Sequence, residues 1–254
     1  MWKEDMNLIL KNLLLLLCLF PYVVANAFPT YDMSEELIKS AHTRSKYYLT
    51  SSFFDFGVGY QEFIEKADKT KGLIIHSHGC SGVGKDESEI RSFYTKLGFY
   101  VVILDFLKRG DAKASCTVSN GVLTYHDSVF LRLPPRVKEL QHHVNLLREA
   151  GFEKIYITGH SEGGMVVQNF PDEVSGAIIH SMFCIPLMVH ANNLNTRYLH
   201  LVSFNDPLLT RPGMSHVCNN RPNYTTATSR VASHGPLADS SWPEKIRNFL
   251  GLAN

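Results

Sequence analysis

Ser161 stands in Gly159-His160-Ser161-Glu162-Gly163, with a glycine two residues away on either side. A serine hydroxyl is a weak nucleophile until a base takes its proton, and the base needs a third group to orient it. The glycine spacing meets the steric side of that requirement. A nucleophile held in a sharp, strained turn between a strand and a helix needs neighbours that are nearly free of side chain. Such a turn lifts the hydroxyl above the strand end. It also sets the next backbone N–H at a helix start, where it can hold an oxyanion. The flanks agree with the motif: Ile155-Tyr156-Ile157 alternates like a strand, and Met165 to Phe170 has the composition of a helix. The competing reading is a plain strand–turn–helix connection.

An acid and a base are then needed downstream. Asp206 follows directly on the apolar run Tyr198–Ser203, in Val202-Ser203-Phe204-Asn205-Asp206-Pro207. A post-strand position suits an orienting carboxylate, although an aspartate before proline is also a common turn residue. The base candidate is His234, in Ser233-His234-Gly235-Pro236 ahead of the last helical segment. Its rival is His216, which lies close behind Asp206, before the space another strand or helix would need. The oxyanion hole takes two backbone donors. One is the N–H of Glu162. The other is assigned to Cys80, in the His78-Gly79-Cys80 turn, which otherwise would serve only as a connection. Arg109 and His160 are the candidate substrate contacts. For Arg109 the competing reading is an exposed loop arginine, and for Glu162 an exposed, dipole-favoured glutamate at a helix start. His76 and His78 have the spacing of a metal pair, but no HExxH or carboxylate-rich motif accompanies them, so no metal and no cofactor is assigned.

These residues need a scaffold that brings strand ends together. Gly72–Ser77 is a near-continuous apolar run, as expected of a strand buried on both faces, and Tyr100–Asp105 is another. The elbow strand, Val174–His180 and Tyr198–Ser203 complete the series. Helices are expected over about Glu87 to Leu97, Val137 to Ala150 and Trp242 to Leu250, the last with Pro243 in its first turn. Phe106 to Tyr125 reads as a long loop. Ahead of these, Ser34–Ala41 reads as a short helix, and Ser51–Phe56 and Tyr60–Ala67 as two strands of an antiparallel edge. Alternating strands and helices predict an α/β fold with a mostly parallel central sheet, helices on both faces and no large lid domain. Ligands in such sheets bind beyond the carboxyl ends of the strands.

With 254 residues, 44% of them hydrophobic, the chain has the length for one domain with a large core. A formal net charge of +1 gives no field to favour nucleic acid or an anionic membrane. Leu13 to Phe20 is a short apolar block followed by Pro21 and Ala25-Asn26-Ala27. That pattern reads as a signal peptide over residues 1–27, with a single domain over 28–254 and export to a secreted or periplasmic location. The apolar run is short for a bilayer span, so no stable membrane insertion is expected after cleavage. Removal of Cys18 leaves Cys80, Cys116, Cys184 and Cys218. All four fall in loops at the carboxyl end of the expected sheet, and pairing between neighbouring loops predicts Cys80–Cys116 and Cys184–Cys218. Four free thiols are the alternative. Asn223-Tyr224-Thr225 is a glycosylation sequon.

From Phe53 to Leu250 the chain resembles the α/β-hydrolase superfamily and, within it, the dienelactone hydrolase family. The likeness rests on His78-Gly79-Cys80-Ser81-Gly82, Leu104-Asp105 with Arg109-Gly110 and Cys116, the elbow Gly159–Gly164, and the positions of Asp206 and His234. The resemblance implies an α/β-hydrolase fold and a serine-type acyl-enzyme mechanism on a small-molecule ester. The name-giving members carry a cysteine nucleophile where this chain has Ser161, which favours the family's serine carboxylesterases over dienelactone as substrate. An acyltransferase, a peptidase or a catalytically inactive binding protein on the same fold are the rival readings.

Overall fold

The computed structural model describes residues 60–107, 114, 116–119, 122–125, 129–184, 195–209 and 222–252. The expected signal peptide, the Ser34–Ala41 helix, the Ser51–Phe56 strand, Arg109, His216 and Cys218 lie outside them. The described elements are α1 (Tyr60–Lys66), β1 (Leu73–Ser77), α2 (Lys85–Lys96), β2 (Tyr100–Leu104), β3 (Cys116–Ser119), β4 (Val122–Tyr125), α3 (Val129–Glu149), β5 (Ile155–His160), α4 (Glu162–Gln168), β6 (Gly176–His180), β7 (Tyr198–Ser203), β8 (Tyr224–Ser229) and α5 (Trp242–Phe249).

Six strands form one sheet in the order β2-β1-β5-β6-β7-β8, and every pairing in it is parallel. Successive side chains on a strand face opposite ways, and the core divides accordingly. Leu73, Ile75, Val102, Leu104, Ile157 and Ile179 pack on one side, against Leu140, Val144 and Leu147 of α3 and Met165 to Val167 of α4. Ile74, Val101, Ile103, Ile178, Leu199 and Leu201 pack on the other, against Ile90 and Tyr94 of α2 and Trp242 and Ile246 of α5. Strands covered on both faces explain why β1, β5, β6 and β7 read as unbroken apolar runs. Among the described residues no inserted lid domain interrupts the sheet.

Three expectations need correction. Tyr60–Lys66 is a helix, not an edge strand. Its apolar residues Tyr60, Phe63, Ile64 and Ala67 recur at helical spacing. Phe63 stacks on Phe152 and meets Tyr100 edge-on, and Glu62 pairs with Lys66 one turn on at 2.6 Å. The segment read as a long loop after Phe106 contains the antiparallel pair β3–β4, with Ser119 opposite Val122. In sequence, Asn120-Gly121 between them is a strong two-residue hairpin signal. Helix α3 begins at Val129 and contains Pro134 and Pro135. A proline inside a helix forfeits a backbone bond, which is why the expected start fell after them. One strand, β8, was not anticipated. It is built of Thr, Ser and Ala at the sheet edge, and Tyr224 at its start stacks on Tyr198 of β7 with ring centres 4.3 Å apart.

Candidate active site

The elbow forms between β5 and α4. Ser161 adopts φ 53°, ψ −122°, one of two non-glycine residues with positive φ among the described residues. Steric crowding accounts for both flanking glycines. A Cβ on Gly159 would lie 2.1 Å from the Gly163 carbonyl oxygen, and one on Gly163 would lie 1.9 Å from the Ser77 oxygen. Neither distance admits a side chain, so strand, turn and helix pack backbone to backbone. The Ser161 N–H donates to the His180 carbonyl at 3.0 Å, which ties the elbow to β6.

The loop after β1 closes on the elbow. A Cβ on Gly79 would stand 3.4 Å from the Ser161 Cβ, so this loop lies directly against the proposed nucleophile. The Gly79 N–H faces Glu87 Oε1 at 3.4 Å. The His78 ring is fixed from both ends: Nδ1 lies 2.5 Å from the Gly79 oxygen, and Nε2 accepts the Phe106 N–H at 3.0 Å. This requires a neutral ring protonated on Nδ1. Burial, reinforced by the charge of Arg136, pushes the His78 pKa down to about 3. Cys80, the next residue, is disulfide-bonded to Cys116 with Cα atoms 5.5 Å apart, as expected. The bond joins the β1 loop to the start of β3. Cys184 is disulfide-bonded as well.

Asp206 follows β7 and is fully buried. Its Oδ1 accepts the Leu208 N–H at 2.9 Å, and its Oδ2 lies 2.7 Å from His234 Nδ1. Two acceptor oxygens thus have two donors, and His234 must carry its proton on Nδ1. That leaves His234 Nε2 as the acceptor, and this atom is buried with no hydrogen-bond partner among the described residues. Of the sequence candidates, the structure therefore brings Asp206 and His234 together, and brings Gly79, beside Cys80, against Ser161.

His160, expected to contact substrate, is turned inward. Its Nε2 lies 2.8 Å from the His234 carbonyl oxygen, and the two rings are 5.0 Å apart. Its Nδ1 faces Asp86 at 3.8 Å and Glu87 at 4.0 Å. Burial would depress its pKa, but Glu87, the His234 carbonyl and Asp86 together raise it. Burial would likewise raise the Glu87 carboxyl, yet His160 and the Gly84 N–H hold it down to about 2. His76 and His180, fully buried nearby, are pushed down by desolvation, His180 to about 3. His76 Nδ1 bonds Thr158 Oγ1 at 2.7 Å, and among the described residues no three metal-ligating side chains converge.

Glu162 is not the exposed helix-start glutamate of the competing reading. It is buried and pairs with Arg136 Nη1 at 2.5 Å, while Arg136 Nη2 donates to the His78 carbonyl. The guanidinium also lies over the Phe106 ring, 4.4 Å from its centre. Arg136 and Glu87 were missed by sequence reasoning. The available signal was a charge on an apolar stripe: Arg136 falls in line with Leu133, Leu140, Val144 and Leu147, and Glu87 with Ile90 and Tyr94.

This is the α/β-hydrolase fold, with a serine elbow at one strand end and an Asp–His pair at others. No family model matches the sequence, and no curated relative matches it either. Solved structures do resemble it. An esterase from Pyrococcus furiosus superposes with a TM-score of 0.51 at 14% identity, over 72% of this chain and 83% of that one. A Klebsiella pneumoniae protein assigned as a dienelactone hydrolase gives 0.51 at 13% identity, over 74% and 90%. Est1E from Butyrivibrio proteoclasticus, solved with ferulic acid bound, gives 0.50 at 13%, over 73% and 90%. At these identities the likeness is one of fold.

Proposed function

We propose that this chain is a serine hydrolase that cleaves a small carboxylic ester or thioester through an acyl-enzyme. The observation that carries the reading is the 2.7 Å contact between Asp206 and His234, which leaves Nε2 as a buried acceptor on a residue whose backbone is bonded to His160, the neighbour of Ser161. Ser161 Oγ attacks the carbonyl carbon while His234 Nε2 takes its proton. Asp206 holds the tautomer and stabilises the imidazolium. The backbone N–H groups of Cys80 and Glu162 receive the oxyanion. The imidazolium then gives its proton to the leaving alkoxide or thiolate. Water, deprotonated by the same nitrogen, attacks the acyl-enzyme, releasing the carboxylic acid and restoring Ser161. Arg109 is the candidate contact for a substrate carboxylate.

Export belongs to the same reading, with residues 1–27 removed as a signal peptide and the mature chain starting at Phe28. The Cys80–Cys116 disulfide supports an oxidising compartment. Mass measurement of protein from the native host tests the cleavage site. For the chemistry, a fluorophosphonate probe should label wild type and not Ser161→Ala, and a panel of acyl esters graded by chain length should define the substrate. Ester turnover retained by purified Ser161→Ala overturns the mechanism.

A further inference from the structure

Two neighbouring strands end in the same dipeptide. β5 runs into His160-Ser161 and β6 into His180-Ser181, and the sheet register pairs His160 with His180. Both serines have positive φ, 53° and 49°. The proposed chemistry uses only the first. Ser181 is buried, and its Oγ donates to the Gly235 carbonyl at 3.0 Å. On either side of that bond the two histidines do the same. His160 Nε2 lies 2.8 Å from the His234 oxygen, and His180 Nδ1 lies 2.7 Å from the Pro236 oxygen. A carbonyl oxygen only accepts, so each ring nitrogen must be the donor.

Three successive carbonyls, 234 to 236, are thus each held by a buried side chain from the ends of β5 and β6. The stretch they belong to is outside any helix or strand. Chain continuity does not impose these contacts, because the partners are 54 to 74 residues apart. We infer that His160, Ser181 and His180 are positioning residues that clamp the His234 loop to the strand ends and thereby fix the base relative to the nucleophile. The inference rests on the proposed role of His234. Its geometry is direct: His160 is joined to Ser161 by one peptide bond and to the His234 backbone by one hydrogen bond.

Both histidine donors are held in the required protonation state. The Tyr94 hydroxyl meets His180 Nε2 at 3.2 Å, so with Nδ1 donating to Pro236 the neutral ring accepts from Tyr94. Asp86 and Glu87 face the far nitrogen of His160 and favour a ring that donates from both sides. His76 is a further buried histidine near these rings, and burial pushes its pKa well down. A loop held in this way does not drift, and small displacements of a general base are expensive in rate.

The test compares Ser181→Ala, His180→Leu and His180→Asn, the last keeping a donor near the Nδ1 position. Losing one donor should lower kcat about five- to tenfold in Ser181→Ala. The loss should be larger in His180→Leu, with partial recovery in His180→Asn, and KM should stay within about twofold throughout. In parallel, the low-field proton resonance of His234 Nδ1–H, assigned by its loss in Asp206→Ala, should broaden by solvent exchange in the same order. This second readout does not depend on hydrolysis. Wild type that turns over no ester would sink the proposed function, while the order of the resonances would still decide the clamp. Folded Ser181→Ala and His180→Asn with wild-type resonance and kcat overturn the clamp, whether or not His180→Leu folds. A change confined to KM also overturns it.

Discussion

Arg136 Nη1 and Glu162 Oε1 lie 2.5 Å apart, both side chains buried, directly behind the elbow. Glu162 is the first residue of α4, so the pair holds the helix whose start would donate to the oxyanion. The other arm of the guanidinium reaches the His78 carbonyl, in the loop that bears Cys80. One arginine therefore ties the two halves of the proposed oxyanion hole together.

Breaking this pair from one side should be severe. Arg136→Met leaves a carboxylate buried without its cation, a loss of about 3–5 kcal/mol. Arg136→Met combined with Glu162→Gln removes both charges and should recover part of that loss. Urea denaturation of the three proteins measures it. A single variant as stable as wild type would mean that the carboxylate is relieved by rearrangement, and that the arginine does not hold the loop.

Acid stability follows from the buried histidines. His76, His78 and His180 have folded pKa values below the ordinary 6.5, His78 and His180 at about 3. Between those values the unfolded chain binds protons that the folded chain does not, so stability falls as pH drops from 6.5 toward 3. Glu87, held at about 2 against an ordinary 4.5, adds to the loss below 4.5. His160 acts in the opposite sense. Its raised pKa contributes stability that is fully present below 6.5 and disappears as pH rises through the folded value. Below 6.5 the His160 contribution is constant, so the three depressed rings give a net decline on the acid side. Urea midpoints should fall steadily below pH 6.5, and His180→Asn should flatten the slope. A midpoint that holds or rises over that window contradicts the protonation states described above.

The disulfide should matter to rate as well as to stability. It closes 36 residues of sequence, worth about 3–4 kcal/mol by loop entropy. It also anchors Cys80, whose neighbour Gly79 packs on Ser161. Replacing both Cys80 and Cys116 by alanine leaves the Cys184 bond in place, which reductant would not. The double variant should unfold at lower denaturant and turn over ester more slowly under conditions where it is folded. Wild-type kcat in a destabilised variant would confine the bond's role to stability.

What the sequence made legible were the features written in local pattern. Apolar runs at β1, β2, β5, β6 and β7 announced buried parallel strands, and the glycines at 159 and 163 announced a turn with no room for side chains. Asp206 and His234, whose side chains meet, were singled out by chain order, each just past or just before an element. Features decided by packing across the chain were less visible. Nothing near Arg136 in sequence says that its partner is Glu162, and only its place on an apolar stripe marks it as buried. The edge strand β8 lacks the apolar run of its neighbours because its faces are less covered: Thr225 and Thr228 are exposed, and only Ala227 and Ser229 are buried. The α1 helix was misread because Phe63 and Ile64 satisfy a short alternation as well as a helical period, and the stack on Phe152 decides between them.

Asp206→Asn offers the sharpest separation of the tautomer role from the packing role. The asparagine is isosteric, and its oxygen can keep the Leu208 N–H bond that Asp206 Oδ1 now accepts at 2.9 Å. Its amide nitrogen then faces His234 Nδ1 and must donate to it. The ring proton is driven to Nε2, so the nitrogen that should accept from Ser161 becomes a donor. The fold loses one charge-assisted bond, while the base loses its lone pair at the reacting position. Turnover should therefore fall by about 10⁴, far more than the change in stability would suggest. Probe labelling of Ser161 should slow in proportion. Near-wild-type kcat in folded Asp206→Asn would separate His234 from the acid and return the choice of base to His216.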